Sequence, residues 1–179
     1  MVAQFTTIGH SNRKLDEFLE MLRDAQVDLL IDVRSFPRSR TNPAFNIDTL
    51  PDDLARVQIG YRHCPALGGR RPKQSRVDET LNAMWRVKSF HNYSDYALCD
   101  EYAAAFDDLV RLGSDRRLAV MCAEAVWWRC HRRIITDYLL LNGHAVDHLM
   151  VPGRIDHATL TPGAQRTAQG KVIYPATGT

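Results

Sequence analysis

Short apolar runs alternate with amphipathic segments along the chain. The runs with an apolar centre lie at residues 4–9, 28–34, 60–64, 118–121 and 144–150. Runs of this length without regular polar alternation are typical of strands that are buried on both faces of a parallel sheet. The pattern therefore predicts five strands.

Between these runs, apolar residues recur at helical spacing. We predict a short helix within residues 45–58 and longer helices at residues 14–26, 96–112 and from about 129 to 142. In the first long helix, Leu15, Phe18 and Leu22 fall on one face. Strands that alternate with helices predict an α/β three-layer sandwich, with a mostly parallel central sheet of about five strands and helices on both faces.

The pattern weakens in two segments. Residues 75–93 have a polar spacing that predicts an insertion over the sheet. Residues 151–179 are polar and rich in Gly, Pro and Thr. We therefore divide the chain into a single α/β domain at residues 1–150 and a C-terminal extension at residues 151–179. We expect this extension to add an edge strand at residues 172–174 or to be partly disordered.

Composition narrows the class of protein. The chain is 45% hydrophobic and 25% charged, with a net charge of +2, which is ordinary for a globular protein and too small to indicate nucleic acid. No apolar run approaches the roughly 18 residues of a membrane span, and no signal-peptide pattern is evident. We expect a cytoplasmic protein with no membrane partner. None of the four cysteines forms a C-x-x-C pair, which favours separate reduced thiols.

The polar residues that follow the strands form the candidate site, because parallel strands end at one rim, where α/β proteins bind ligands. The candidate catalytic residues are Cys122, Glu124 and His10. The candidate ligand-binding residues are Ser11, Asn12, Arg34, Arg38, Arg40, Gly68, Gly69, Arg129, His131 and Arg132. The arginines indicate an anionic ligand, since a guanidinium binds phosphate or carboxylate through two N–H groups.

Several of these residues have alternative interpretations. Cys122 is a nucleophile, a metal ligand or a small buried side chain. Glu124 is a general base, a metal ligand or the ion-pair partner of an arginine. Asp32 lies within an apolar strand and is expected to pair with a rim arginine or to cap a loop rather than to act in catalysis. Cys130 falls on the apolar stripe of the last predicted helix, which favours a core position. The spacing of Cys and His does not indicate a metal site, so no metal is assigned.

Several short sequence motifs match the pattern of a known family. They are Thr7-Ile8-Gly9-His10-Ser11-Asn12, Ile31-Asp32-Val33-Arg34-Ser35, Leu67-Gly68-Gly69, Met121-Cys122-Ala123-Glu124, Trp128-Arg129-Cys130-His131-Arg132 and Tyr174-Pro175. With them the chain resembles the bacterial and archaeal family called domain of unknown function 488, over nearly its whole length. The resemblance implies a fold and a shared pocket, and it brings no settled activity.

A looser similarity concerns chemistry. Ile31-Asp32-Val33-Arg34 is similar to a phrase of rhodanese domains, and the order strand, Cys122, loop, Arg129, helix is similar to rhodanese and cysteine-phosphatase sites. That similarity implies a thiolate at a positive helix N-terminus. Here six residues without a glycine separate Cys122 from Arg129, and they include two tryptophans. A backbone anion cradle usually needs small residues, so the sequence departs from that pattern.

Three functions remain open. The preferred one is an enzyme that binds an anionic ligand of nucleotide or nucleic-acid type in the rim pocket. The alternatives are a rhodanese-like thiol enzyme that acts through Cys122 and a non-catalytic nucleic-acid-binding module. The expected partner is therefore an anionic small molecule or a nucleic acid. Cofactor, reaction and oligomeric state do not follow from the sequence.

Overall fold

A six-stranded sheet lies at the centre of the computed structural model, which describes residues 4–177. Its strands are β1 (Phe5–Gly9), β2 (Leu29–Asp32), β3 (Gly60–His63), β4 (Leu118–Cys122), β5 (Val146–Val151) and β6 (Arg154–His157). The order is β3-β2-β4-β1-β5-β6, in which β1 to β5 run parallel and β6 is antiparallel to β5. The predicted mostly parallel sheet is confirmed. It has one strand more than predicted, because β6 is largely exposed and lacks an apolar run.

Helices cover both faces of this sheet. They are α1 (Leu15–Asp24), α2 (Leu50–Ala55), α3 (Lys88–Tyr96), α4 (Asp100–Asp115) and α5 (Arg132–Leu141). On one face, Leu30 and Met121 pack with buried residues of α1 and α2. On the other face, Ile31 and Val120 pack with buried residues of α3, α4 and α5. Consecutive residues of one strand thus belong to two separate cores, one on each face of the sheet. The predicted three-layer sandwich is confirmed.

Two predicted helix boundaries are wrong. The helix expected at residues 96–112 begins later, at Asp100, and is α4. Tyr96, where that prediction started, is the last residue of α3. Gly113 lies inside α4, where a Cβ atom would come 2.3 Å from the ring of Phe5. The helix expected from about residue 129 begins at Arg132, after a 3-10 turn at Trp127–Arg129. Cys130 therefore precedes the helix.

The C-terminal segment packs on the layer formed by α3, α4 and α5. Its strands, β7 (Gln165–Arg166) and β8 (Val172–Ile173), form a two-stranded antiparallel sheet separate from the main one. Tyr174 is fully buried, and its hydroxyl donates to Oδ2 of Asp137 at 2.7 Å. Its backbone N–H donates to Oδ1 of Asn82 at 2.9 Å. Residues 1–3 and 178–179 lie outside the described residues.

We expect Tyr174→Phe to lower the free energy of unfolding by about 1–3 kcal/mol, because it removes a donor from a buried carboxyl group. Burial already raises the pKa of Asp137, and the Tyr174 hydroxyl is one of the groups that oppose this rise. Urea denaturation measures the change. Tyr96→Phe is the matched control, since the Tyr96 hydroxyl donates to a part-buried carbonyl of Ala66 and its loss costs less. Equal losses in the two variants contradict the prediction.

Candidate functional site

A cleft of about 610 Å³ opens at the carboxyl-terminal rim of the sheet, beside the ends of β2 and β4. It is lined by Arg34, Ser35, Phe36, Arg38, Ser39, Gly69, Arg70, Ser89, Phe90, Cys122, Ala123, Glu124, Arg129, Cys130 and His131. Seven of the candidates from the sequence are among them. Ser11 and Asn12 line a second cleft, beside Arg13 and Arg154. His10, Arg40, Gly68 and Arg132 do not line the first cleft.

Two cysteines meet at the floor of the first cleft. Cys122 is the last residue of β4, and Cys130 comes directly before α5, after the chain has turned back through Trp127–Arg129. Their Sγ atoms lie 2.8 Å apart. Cys122 is 2% exposed and Cys130 is 7% exposed, and both are free cysteines. The predicted core position of Cys130 is confirmed, since Cys130 belongs to the buried cluster on the α3–α5 face. The predicted helical conformation is wrong, because α5 begins only at Arg132.

The two thiols differ in acidity. Burial opposes ionisation of Cys130. The hydrogen bond with Cys122, the positive charge of Arg132 and the backbone N–H of Arg132 outweigh burial and lower the pKa of Cys130 to about 7. That N–H lies 3.4 Å from Sγ of Cys130, at the positive end of α5. Burial and the neighbouring Cys130 raise the pKa of Cys122. When the pair loses one proton, that proton therefore leaves from Cys130, and Cys122 keeps its own.

Arg132 is a buried cation beside this pair. It is 1% exposed, and its guanidinium donates to Oγ1 of Thr7 at 2.9 Å and to the carbonyl of Glu124 at 2.7 Å. Within residues 4–177, no carboxylate lies within ion-pair distance of it, and its Nε has no hydrogen-bond partner. A buried charge needs compensation. The positive charge of Arg132 lowers the pKa of Cys130, because an ionised sulfur nearby compensates this charge.

His131 adds a basic nitrogen next to Cys130. Its Nε2 donates to the carbonyl of Val33 at 2.9 Å, so Nδ1 is the unprotonated nitrogen, and it lies 3.4 Å from Sγ of Cys130. Burial lowers the pKa of His131 and favours the neutral ring. Gly69 packs against the ring, where a Cβ atom would come 2.5 Å from Nδ1. The close approach of Gly69 therefore fixes the ring beside the thiol.

Arg34 and His10 belong to a buried network below the rim. Arg34 binds both carboxylate oxygens of Asp32, at 2.9 and 2.7 Å, which confirms the expected pairing of Asp32 with a rim arginine. It also donates to Nε2 of His10 at 3.2 Å. Nδ1 of His10 donates to the carbonyl of Ser11 at 2.8 Å, and burial lowers the pKa of this histidine. His10 is thus neutral, with both ring nitrogens already bonded.

The cations that remain for a ligand lie on the walls of the cleft. Arg38 forms a two-point ion pair with Asp48 in solvent. Within the described part of the chain, the side chains of Arg129 and Arg70 have no hydrogen-bond or ion-pair partner, although Arg70 covers the exposed ring of Phe36 at 5.0 Å. Arg129 and Arg70 are therefore the cations best placed for an anion. Exposed Glu124 adds one carboxylate to the same cleft.

The described residues contain neither a cluster of metal-binding side chains nor a membrane-spanning helix. Among residues 4–177, no group of three or more His, Cys, Asp or Glu side chains is arranged to hold a metal ion. No helix in the described part of the chain is long and apolar enough to cross a membrane.

A protein-family model matches the part of the chain that contains the cysteine pair. The family model described as domain of unknown function DUF488 matches residues 14–139. The chain belongs to this family. The DUF488 segment contains Cys122, Cys130, His131 and Arg132, and it leaves the motifs at residues 7–12 and at Tyr174-Pro175 outside. A search of curated proteins finds no match.

Proposed function

We propose that this DUF488 protein is a thiol-dependent enzyme that uses the Cys130 thiolate on an anionic substrate bound in the rim cleft. The observation that carries the proposal is the environment of Cys130. Its sulfur lines the cleft and lies beside the Cys122 thiol, the N-terminus of α5 and a buried guanidinium without a carboxylate partner. The proposal keeps the anionic ligand expected from the sequence and moves the nucleophile from Cys122 to Cys130.

The neighbouring groups have distinct roles in this proposal. Arg132 and the α5 N-terminus stabilise the thiolate, since opposite charge and a helix dipole favour the ionised form. Nδ1 of His131 accepts the proton of Cys130 when the thiol is protonated. Arg129 and Arg70 bind the anionic part of the substrate, and Glu124 favours substrates that also carry a positive group. The proposal includes a cytoplasmic location, because a reducing compartment keeps both thiols available.

An anionic and a neutral alkylating reagent test the proposal together. We expect Arg129→Ala to slow the reaction of iodoacetate with Cys130 by about 3- to 10-fold, because a nearby positive charge attracts the reagent. The rate with neutral iodoacetamide stays the same. Glu124→Gln has the opposite effect on iodoacetate. Mass spectrometry of the Cys130 peptide measures both rates.

Arg23→Ala is the matched control, because Arg23 is an exposed arginine in α1, on the opposite face of the sheet. It leaves both rates unchanged. Equal effects of Arg129→Ala on the two reagents contradict an anion site. An unreactive Cys130, together with nucleic-acid binding that weakens steeply with salt, favours the non-catalytic alternative instead.

A further inference from the structure

Cys122 lines the cleft, but the proposed reaction at Cys130 gives its sulfur no bond-forming role. The 2.8 Å between the two Sγ atoms compares with about 2.05 Å for a disulfide bond, so a shift of less than ~1 Å joins them. The two residues come from different segments, the end of β4 and the start of α5. The other two cysteines, Cys64 and Cys99, lie outside the cleft. The geometry therefore selects one partner for Cys130.

We propose that Cys122 is the resolving thiol of Cys130, and that the site reduces a small anionic disulfide while Cys122 and Cys130 become joined. This inference rests on the proposed function, because it starts from the Cys130 thiolate. It adds the substrate class, which is a sulfur–sulfur bond flanked by carboxylates, and it gives a catalytic role to a second cysteine.

The reaction has two exchange steps. In the first, the Cys130 thiolate attacks one sulfur of the substrate disulfide, a mixed disulfide forms, and one substrate half leaves as a thiolate. In the second, Cys122 loses its proton and attacks the Cys130 sulfur, and the second half leaves and takes up that proton. The protein pair loses two electrons and one proton. The substrate gains the same two electrons and ends as one thiolate and one thiol.

The surroundings of the pair fit this order of steps. Cys130 is the more exposed and the more acidic thiol, so it meets the substrate first. Bond formation at Cys130 removes the negative charge that opposes ionisation of Cys122. Arg132 then remains beside Cys122, and its positive charge favours the Cys122 thiolate. Because Cys122 is 2% exposed, an external disulfide reaches it poorly, whereas the Cys130 sulfur lies next to it.

The cleft fits a charged disulfide of small-peptide size. Its volume of about 610 Å³ lies within the usual range for small-molecule sites. Arg129 and Arg70 are available for carboxylates, and Glu124 for an ammonium group. Disulfides built from amino acids or short peptides carry these charges on both sides of the sulfur–sulfur bond.

The test treats the reduced full chain with glutathione disulfide and follows intact mass, peptide masses and released glutathione. We expect the wild-type chain to lose two hydrogens, to carry no adduct, to contain a Cys122–Cys130 disulfide and to release two glutathione molecules per chain. Cys122→Ser keeps one glutathione on Cys130 and releases one. Cys130→Ser does not react in the cleft. Cys64→Ser is the matched control and behaves as the wild type.

Each other outcome has a defined meaning. A wild-type chain that keeps its glutathione adduct as Cys122→Ser does, with Cys122 still free, overturns the resolving role and leaves the nucleophilic Cys130 intact. A Cys130 that takes no adduct in any variant overturns the inference, and a flat pH profile of its alkylation then also removes the proposed function. Should Cys122→Ser not fold, Cys122→Ala answers the same question.

Discussion

Alkylation of Cys130 by iodoacetamide is expected to reach half of its maximal rate near pH 7 and to level off above that pH. The cause is the lowered pKa of Cys130, about 7, since the thiolate is the reactive form. Below pH 7, the rate falls by about tenfold per pH unit, as the ionised fraction does. Cys130→Ser removes this fast, neutral-pH labelling from the protein. Mass spectrometry of tryptic peptides over a pH series measures the profile.

The shape of the profile is a sharper test than the rate. At pH 7, a thiol with a pKa of about 7 is half ionised, against about 1% for a thiol at its ordinary value. A thiolate of lower pKa is also a weaker nucleophile, by about tenfold over two pKa units, so the net gain is only about 5-fold. Burial of Cys130, which is only 7% exposed, reduces the rate further. The midpoint of the profile is independent of these factors.

Cys64 is the internal control for this experiment. It is half-buried, and burial raises its pKa, so its alkylation rate continues to rise at pH values where Cys130 has levelled off. Cys122 stays unlabelled over the same range, because it is buried and keeps its proton. A Cys130 profile that follows that of Cys64 shows an ordinary thiol and removes the basis of the proposed enzyme.

The polarity of parallel strands explains why much of the cleft could be predicted. Once residues 28–34 and 118–121 are recognised as strands, Arg34, Cys122 and Glu124 must emerge at one rim. The same argument placed Ser11 and Asn12 at that rim. However, β1 lies between β4 and β5, on the far side of β4 from β2, and these residues line the other cleft, beside the end of β5. The sequence pattern does not give the order of the strands across the sheet.

The position of Cys130 at the cleft was missed for a different physical reason. Its apolar neighbours repeat at helical spacing, and the spacing continues into a segment that is a 3-10 turn. A short turn changes the direction of each side chain relative to the helix that follows. The Cys130 sulfur lies in the core, as the periodicity predicted, but it also contacts Cys122 at the floor of the cleft, which the periodicity did not predict. A local signal was present, since Cys130 lies between Arg129 and Arg132, and cations near a thiol favour its ionisation.

Arg132→Met is expected to raise the midpoint of the Cys130 profile by about one to three pH units, since a nearby opposite charge lowers an acid pKa by that amount. Labelling at pH 7 then falls by about tenfold or more. Methionine fills similar volume without a buried charge. Arg132→Lys, which keeps the charge, restores part of the shift. Arg133→Met is the neighbouring control, because Arg133 bonds to Thr161 and packs over Trp85. In the Arg133→Met variant, the midpoint of the Cys130 alkylation profile stays near pH 7.

The same variant changes how stability depends on pH. The pKa of Cys130 is about 7 in the folded chain and 9.0 for an ordinary thiol. Between these values, the unfolded chain binds more protons, so the free energy of unfolding rises with pH, and this gain is lost as the pH falls through 7. From pH 7.5 to 9, above the titration of ordinary histidines, we expect a rise of about 1–2 kcal/mol in reducing buffer.

Without the Arg132 charge, the folded and unfolded pKa values of Cys130 converge. Urea denaturation of Arg132→Met at pH 7.5 and 9 should therefore give nearly equal free energies of unfolding, as should Cys130→Ser. A purely structural role for Arg132 predicts lower stability at both pH values with the wild-type difference retained. That outcome contradicts the pairing of this guanidinium with the Cys130 thiolate, because a charge that stabilises the thiolate must appear in the pH dependence.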